Sequence, residues 1–485
     1  MSALDLFKRS QGTNNSPRLN SLDRQDSVRF NLYKHYYRFY SGQHWEHERD
    51  DDEELITANI CASLVDKHAT FLAGQEWYLK DPDGDTGRPE FKYVDKVWEY
   101  SDKFTTFYEM AHGGSLFGDV FAMVAPDDKG EIKVQNVPPV YVYPTFHPDD
   151  KNQLLSAVVE YPVYDLSSSS PTVITFVIDS QKIVRYVNGD KTREVFHGFG
   201  EPPLVHIPNL PYPGTQFGRS DLSSVTALQQ IYNSKMTDNS DIIAYHSSPI
   251  TIGYGVRINQ LERGAEKVIS GLDKDARVEN LETKSDMAGG IDFAKQIKKL
   301  IHQLGNAPEI AFGAADELRF SNSSGLALQM LYQPLIDVLK VKYGYYGLGM
   351  KKINRLILMW GVRTMQVFEP LTAEARRKFY NVEVGFHDPL PRDEMLELTK
   401  IITKLEKGLM HMEDAHQELG HRNVLEYMRK IKDDIESGTN LAYAATSPDG
   451  DQTSFQGEIT NIGGVVRDGG TVRQSIQQEE RAQED

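Results

Sequence analysis

Apolar positions in the first quarter of the chain recur at helical spacing. Val28, Leu32, Tyr36, Phe39 and Tyr40 predict a helix over 28–41. Ile60, Leu64, Val65, Phe71 and Leu72 predict a second from Asn59 to about Ala73. Val94, Val97, Trp98, Phe104, Phe107 and Met110 predict a third over roughly 91–113. From Asp119 the period shortens. DVFAMVA, EIKVQNV, VYVYP, LLSAVVEYPVY, TVITFVI, KIVRYV and TREVF are β-branched and aromatic runs. Asp127-Asp128-Lys129-Gly130 and Asn188-Gly189-Asp190 are hairpin-type turns between them. The pattern predicts an antiparallel sheet region that ends at the proline-rich EPPLVHIPNLPYPG.

Beyond Gly218 the chain turns mainly helical. Ser220-Asp221 reads as an N-cap for a helix to about His246, with Leu222, Val225, Leu228 and Ile231 on one stripe. Residues 249–284 return to short, glycine-punctuated strands, and a helix follows from about Met287 to Leu304. GNAPEIAFGAADELRFSNSSG shows neither period, and irregular loops of that length usually have a function or are disordered. Leu326 to about Val362 is one helical pattern, roughly 55 Å long, in which Pro334 should produce a kink. A strand (NVEVGF) and helices over 391–408 and 412–436 complete the pattern, which is α+β and mainly helical. Residues 1–27 and 437–485 are polar and predict disorder.

The formal charge of −17 over 485 residues speaks against a protein that grips nucleic acid with its whole surface. That charge is unevenly placed. Glu46–Glu54 carries a net of −6 and 433–485 a net of −8, leaving about −3 for the remaining body. Mean hydropathy is −0.49, and no apolar run is long enough for a transmembrane helix. MSALDLFKRSQGTNNSPRLN lacks the apolar stretch of a secretory signal. One cysteine, Cys61, excludes an intrachain disulfide and a multi-cysteine metal site, and fits synthesis in a reducing cytosol.

Catalytic motifs are missing. The chain has no phosphate-binding loop of the G-x-x-x-x-G-K-[ST] type and no G-x-S-x-G elbow. Gly113-Gly114 and Gly118 lack dinucleotide-fingerprint spacing and lead into a strand. Asp50, Asp51, Asp52, Glu53 and Glu54 could suggest Mg²⁺ and a nuclease, but a contiguous run reads as a solvated loop. His411, His416 and His421, near Glu413 and Asp414, step about 140° around a helix and do not share a face. The expectation is no enzyme, no cofactor and no metal. Gly344, Gly347 and Gly349, interleaved with Tyr343, Tyr345 and Tyr346, predict close helix packing.

Three stretches carry a resemblance. Ile207-Pro208-Asn209, Pro213-Gly214, Phe217-Gly218-Arg219-Ser220-Asp221-Leu222, Tyr232-Asn233 and Ser248-Pro249-Ile250 form the first. Tyr36-Tyr37, Tyr40-Ser41-Gly42-Gln43, Asn59-Ile60, Val65 and Gly74 form the second, and Ser324-Gly325-Leu326-Ala327-Leu328 with Tyr332-Gln333-Pro334-Leu335 the third. In this order, over roughly 28–435, the chain resembles the portal proteins of tailed bacteriophages, of the SPP type.

The resemblance implies a portal fold: an α/β wing over 28–218, stem helices over 219–248 and 285–304, and a β-containing clip over 249–284. It further implies a tunnel loop over 305–324, a long kinked helix completing the wing over 325–388, and crown helices over 389–436. The implied function is a cyclic, typically dodecameric ring at one capsid vertex, through which double-stranded DNA is packaged and ejected. Implied partners are copies of itself, the terminase large subunit, a head–tail adaptor, and the major capsid and scaffolding proteins, with no membrane. Implied locations are the virion and, during assembly, the host cytoplasm. Another head–tail connector or minor capsid protein is the alternative. Lys295, Lys298, Lys299 and His302 share one helix side at 3–4 spacing, either as a sparse basic band toward the lumen or as an ordinary solvated face. Arg319 and Asn322 are candidates for transient phosphate contact. Arg257, Arg263, Lys267, Lys274 and Arg277 are candidates for the clip's docking surface.

Overall fold

The computed structural model describes residues 24–45, 55–81, 87–164, 171–247, 251–254, 277–280, 287–313, 325–387, 389, 394–411, 415, 429–430 and 432–433. The chain divides into a unit to Leu409 and a second from Met410. In the second, residues 415, 429–430 and 432–433 are helical. The expected disorder of 1–27 and 437–485 lies outside the described residues except at 24–27, which are helical instead.

The first unit opens with α1 (Arg24–Tyr40) and α2 (Ile60–Ala73). Asn59 caps α2, accepting from the Ala62 N–H at 3.1 Å and donating to the Tyr40 carbonyl at 2.8 Å. After β1 (Tyr78–Lys80), the single helix expected over 91–113 is two, α3 (Pro89–Tyr100) and α4 (Lys103–Phe117). The break has a physical cause. Asp102 takes the left-handed conformation (φ 56°), and the Ser101 hydroxyl donates to the Val97 carbonyl at 2.7 Å while accepting from the Val134 N–H at 3.0 Å.

Strands β2 (Asp119–Pro126), β3 (Ile132–Val137), β4 (Val142–Phe146), β5 (Leu154–Val163), β6 (Thr172–Ile178), β7 (Lys182–Val187) and β8 (Asp190–Phe196) follow the predicted runs. They form two sheets rather than one. Strands β4 to β8 make an antiparallel meander in chain order. The other sheet runs β3-β2-β9, where β9 (Leu204–Pro208) lies inside the proline-rich segment expected to end the sheet. Its prolines permit this because β9 is an edge strand, paired only with β2.

Helix α5 (Thr226–Ser247) starts later than expected; Ser220–Val225 forms tight turns instead. Strands β10 (Thr251–Tyr254) and β11 (Arg277–Asn280) pair antiparallel, and α6 (Met287–Leu304) has the predicted bounds. A 3-10 turn over Glu309–Phe312 opens the segment expected to be irregular. Helix α7 (Gly325–Arg363) has 39 residues, about 58 Å, and continues through Pro334. It is followed by α8 (Ala373–Phe379), β12 (Glu383–Gly385), which pairs with β1, and α9 (Glu394–Glu406).

Helix α7 organises the largest apolar cluster. Its Tyr346, Met350, Ile353 and Ile357 pack among buried Trp77, Trp98, Phe107 and Met110, with β2, β3 and β9 beneath. The Trp98 indole donates to Asn354 at 2.8 Å, so the buried ring keeps its polar atom satisfied. Of the three glycines predicted to allow close packing, Gly349 does so: a Cβ there would lie 2.3 Å from Ile207. Gly344 faces open space, and Gly347 makes only an ordinary contact. Cys61 is buried and free, and burial pushes its thiol up to about 12.

Candidate functional site: the α5–α6 pair and its buried root

Helix α4 ends with unsatisfied carbonyls, as every helix does. Here the segment leading into α5 satisfies them. The Ser220 hydroxyl lies 3.0 Å from the Ser115 carbonyl and 2.7 Å from that of Leu116; the Asp221 N–H donates to Ser115 at 3.0 Å. The Asn209 N–H donates to the Gly118 carbonyl at 2.9 Å. This use of Ser220 and Asp221 explains why neither caps α5.

The Asp221 carboxylate faces inward. It accepts from the Lys342 ammonium of α7 at 2.6 Å and from the Asn209 amide at 3.3 Å. Lys342 is fully buried and also donates to the Ser115 hydroxyl at 3.3 Å; the Tyr346 hydroxyl donates to Asn209. Burial alone would raise the Asp221 carboxyl, but Lys342, with His68 and Ser115, holds it below its usual range. Burial pulls the Lys342 ammonium down, against the attraction of Asp221. A second buried carboxylate, Asp119, accepts from the Tyr33 hydroxyl at 2.6 Å, His206 at 2.7 Å and the Gly218 N–H at 2.8 Å. The base of the helix pair is therefore cross-linked to α1, α4, α7 and β9 by polar contacts away from water, where a lost partner is costly.

Helix α5 also carries a buried polar stripe, Gln229, Asn233 and Thr237, at one-turn spacing. It holds the segment 55–59, which forms neither helix nor strand. Gln229 donates to the Ala58 carbonyl at 2.6 Å and accepts from the Ile60 N–H; Asn233 accepts from the Ala58 N–H and Thr237 from that of Ile56. His44 completes the stripe: one ring nitrogen meets the Phe39 carbonyl at 2.7 Å and the other the Asn233 amide nitrogen at 2.6 Å. A carbonyl needs a donor and an amide N–H₂ an acceptor, so the ring is neutral and protonated on Nε2.

Two further buried histidines hold the turn after α6. His68 Nε2 meets the Gly305 carbonyl at 2.8 Å, and His302 Nδ1 that of Ala307 at 3.0 Å. The other nitrogen of His68 is buried without a partner, so a second proton there would have no acceptor. Burial lowers the pKa of His44, His68 and His302. A folded pKa below the unfolded value of about 6.5 means that the unfolded chain takes the proton first. Stability from these groups is then present above that pH and lost as pH falls below it, by at most about 1.4 kcal/mol per pH unit for each. The thermal midpoint should fall less between pH 7.5 and 5.5 in His68→Asn than in the unsubstituted chain; equal slopes contradict the assignment.

The residues expected to face a channel separate. Lys295 and Lys299 are exposed on α6 and Lys298 partly so; Lys295 lies 3.6 Å from Asp292, and Lys298 3.9 Å from Glu309. His302 does not continue their band: only 6% exposed, it is turned into the protein, its ring tilted against that of Phe312 at 5.0 Å. Phe293, Leu300 and Leu304 form an exposed apolar stripe on a different side of α6. Arg319, Asn322, Arg257, Arg263, Lys267 and Lys274 lie outside the described residues, as do Asp50, Asp51, Asp52, Glu53 and Glu54. Arg277 is the first residue of β11, with its backbone opposite Tyr254. His416, His421, Glu413 and Asp414 are also outside. Among the described residues no group of His, Cys, Asp and Glu could hold a metal, and no helix is long and apolar enough to cross a membrane.

The geometry is that of a scaffold, a helix pair with an inserted strand hairpin rooted in an α+β body by buried polar contacts. The sequence matches the family described as "Phage portal protein, SPP1 Gp6-like" over residues 19–440, and the chain belongs to that family. Portal proteins are structural, head–tail connector components of the phage particle. No curated protein matches the chain. Among solved structures it is similar to a chain from "Neck of empty GTA particle computed with C6 symmetry", at 12% identity and a TM-score of 0.47, covering 75% of this chain and 90% of that one.

Proposed function

We propose that the chain forms a cyclic ring, of about a dozen copies, at one capsid vertex, and that double-stranded DNA passes through its channel during packaging and ejection. The family match over residues 19–440 carries this reading. In it, α5 and α6 are the stem, the β10–β11 insertion is the clip, residues 305–324 are the tunnel loop, and 389–436 form the crown. The wing comprises 28–218 and 325–388. The exposed stripe Phe293, Leu300 and Leu304 supports assembly, because a heterologous ring interface covers such a face with the next subunit. Lys295, Lys298 and Lys299 would give the lumen a sparse basic band, and Arg319 and Asn322 transient phosphate contacts. Dense phosphate contacts would act as a brake.

The clip docks the terminase large subunit during packaging and the head–tail adaptor afterwards, through Arg257, Arg263, Lys267, Lys274 and Arg277. Capsid and scaffolding proteins meet the ring during assembly in the host cytoplasm. Deleting residues 256–282 should leave rings that form but do not recruit terminase or adaptor in pull-down. Undiminished recruitment by that variant contradicts the clip assignment.

A further inference from the structure

The connection from α7 to α8 breaks two rules of a solvated loop. It presents Met365, Phe368 and Leu371 at 79%, 83% and 96% exposure, three large apolar side chains at every third position. Val367, buried between them, anchors the loop in the main core beside Gly361. Met365 also adopts φ 56°, the left-handed position that closes a helix and that glycine normally fills. A bulky side chain there is strained, and in this protomer it is compensated by no burial.

Beside the loop lies a concavity of about 690 Å³ lined by Lys351, Arg355, Arg376, Arg377, Lys378 and Tyr380 among others, with no carboxylate in its wall. Arg376 Nε reaches back to Glu369 of the loop at 3.1 Å, tying the apolar prongs to the cationic wall. Lys351 pairs with Glu383 and Arg355 with Glu201 around the rim.

We infer that this surface docks an acidic segment of a partner protein that carries apolar anchors, its carboxylates entering the concavity and its apolar side chains meeting Phe368 and Leu371. A nucleic-acid duplex would meet the cations but offer nothing to three apolar prongs. A bilayer would accept the prongs, but it presents a plane to cations that line a hollow. An amphipathic acidic chain matches both halves, and exposed apolar patches of this kind mark protein contacts. This inference does not depend on the ring.

The test uses the full chain and a fluorescein-labelled 15-residue peptide alternating Glu or Asp with Leu or Phe, followed by anisotropy. Binding should weaken at least tenfold in Phe368→Ser/Leu371→Ser and in Arg376→Glu/Arg377→Glu, and also when alanine replaces the peptide's Leu and Phe. All four substituted side chains are exposed, so circular dichroism should stay unchanged; the thermal midpoint should stay unchanged in Phe368→Ser/Leu371→Ser and fall only by the loss of the exposed Arg376–Glu369 pair in Arg376→Glu/Arg377→Glu. Equal peptide affinity in either variant overturns the inference. So does tighter binding, through the same residues, of a 20-base-pair duplex or of phosphatidylserine vesicles. A smaller oligomer for Phe368→Ser/Leu371→Ser by sedimentation velocity would make the surface a contact between copies and overturn it too.

Discussion

Replacing Asp221 by asparagine should destabilise the chain by about 3–5 kcal/mol, read from the midpoint of urea unfolding at pH 7. The substitution leaves the Lys342 ammonium fully buried without its carboxylate, 2.6 Å away in the native protein. Lys342→Met should cost about as much, because it strands Asp221 instead. Removing both charges with Asp221→Leu/Lys342→Met should recover most of the loss, since a buried pair often contributes little net stability over apolar groups of similar size. A double variant as unstable as the sum of the singles would show that the two charges act independently. The pH dependence has a fixed sign. The folded Asp221 pKa lies below its unfolded value, so its contribution is full above about pH 4 and is lost as pH falls through the folded value.

The second large effect is steric. Gly218→Ala should cost about 3 kcal/mol or more, because the new Cβ would lie 2.1 Å from the Gly118 carbonyl oxygen and 2.8 Å from the Asn209 nitrogen. Both obstacles are backbone, so no side chain can turn aside. The strand-to-helix crossing at the root would have to separate, straining the Asp119 contact to the Gly218 N–H and the Asn209 contact to Gly118. Gly113→Ala is the control. Its Cβ meets nothing within 4 Å, and within α4 it should be neutral or stabilising by up to about 1 kcal/mol. Equal thermal midpoints for the Gly218 and Gly113 variants would contradict the close approach.

Elements whose burial follows a local period were legible in the sequence. Helix α6 has its predicted ends, α7 differs by one residue at each, and the seven runs from Asp119 to Phe196 are the seven strands β2 to β8. Features set by distant partners were not. The break at Asp102 has no glycine or proline to announce it and depends on Val134 in another element. Strand β9 hides among prolines because its partner β2 lies about 85 residues earlier. Lys342, on a helix rich in lysine and glycine, reads as solvated until its carboxylate, 121 residues away, is found beside it. Asp221 has the chemistry of an N-cap, but the carbonyls at the end of α4 claim the segment first. The Gln229, Asn233 and Thr237 spacing was available, although polar residues one turn apart usually mark a solvated face. His302 shares a helix side with the lysines, and only the turn after α6 shows that this side becomes buried.

The central claim, a ring-forming portal, is tested most directly by native mass spectrometry of the purified protein with negative-stain imaging. The account predicts a closed ring with a central hole and a mass near a dozen protomers, roughly 660 kDa. A compact monomer or a two-fold dimer without a hole, persisting at every concentration tested, would contradict it.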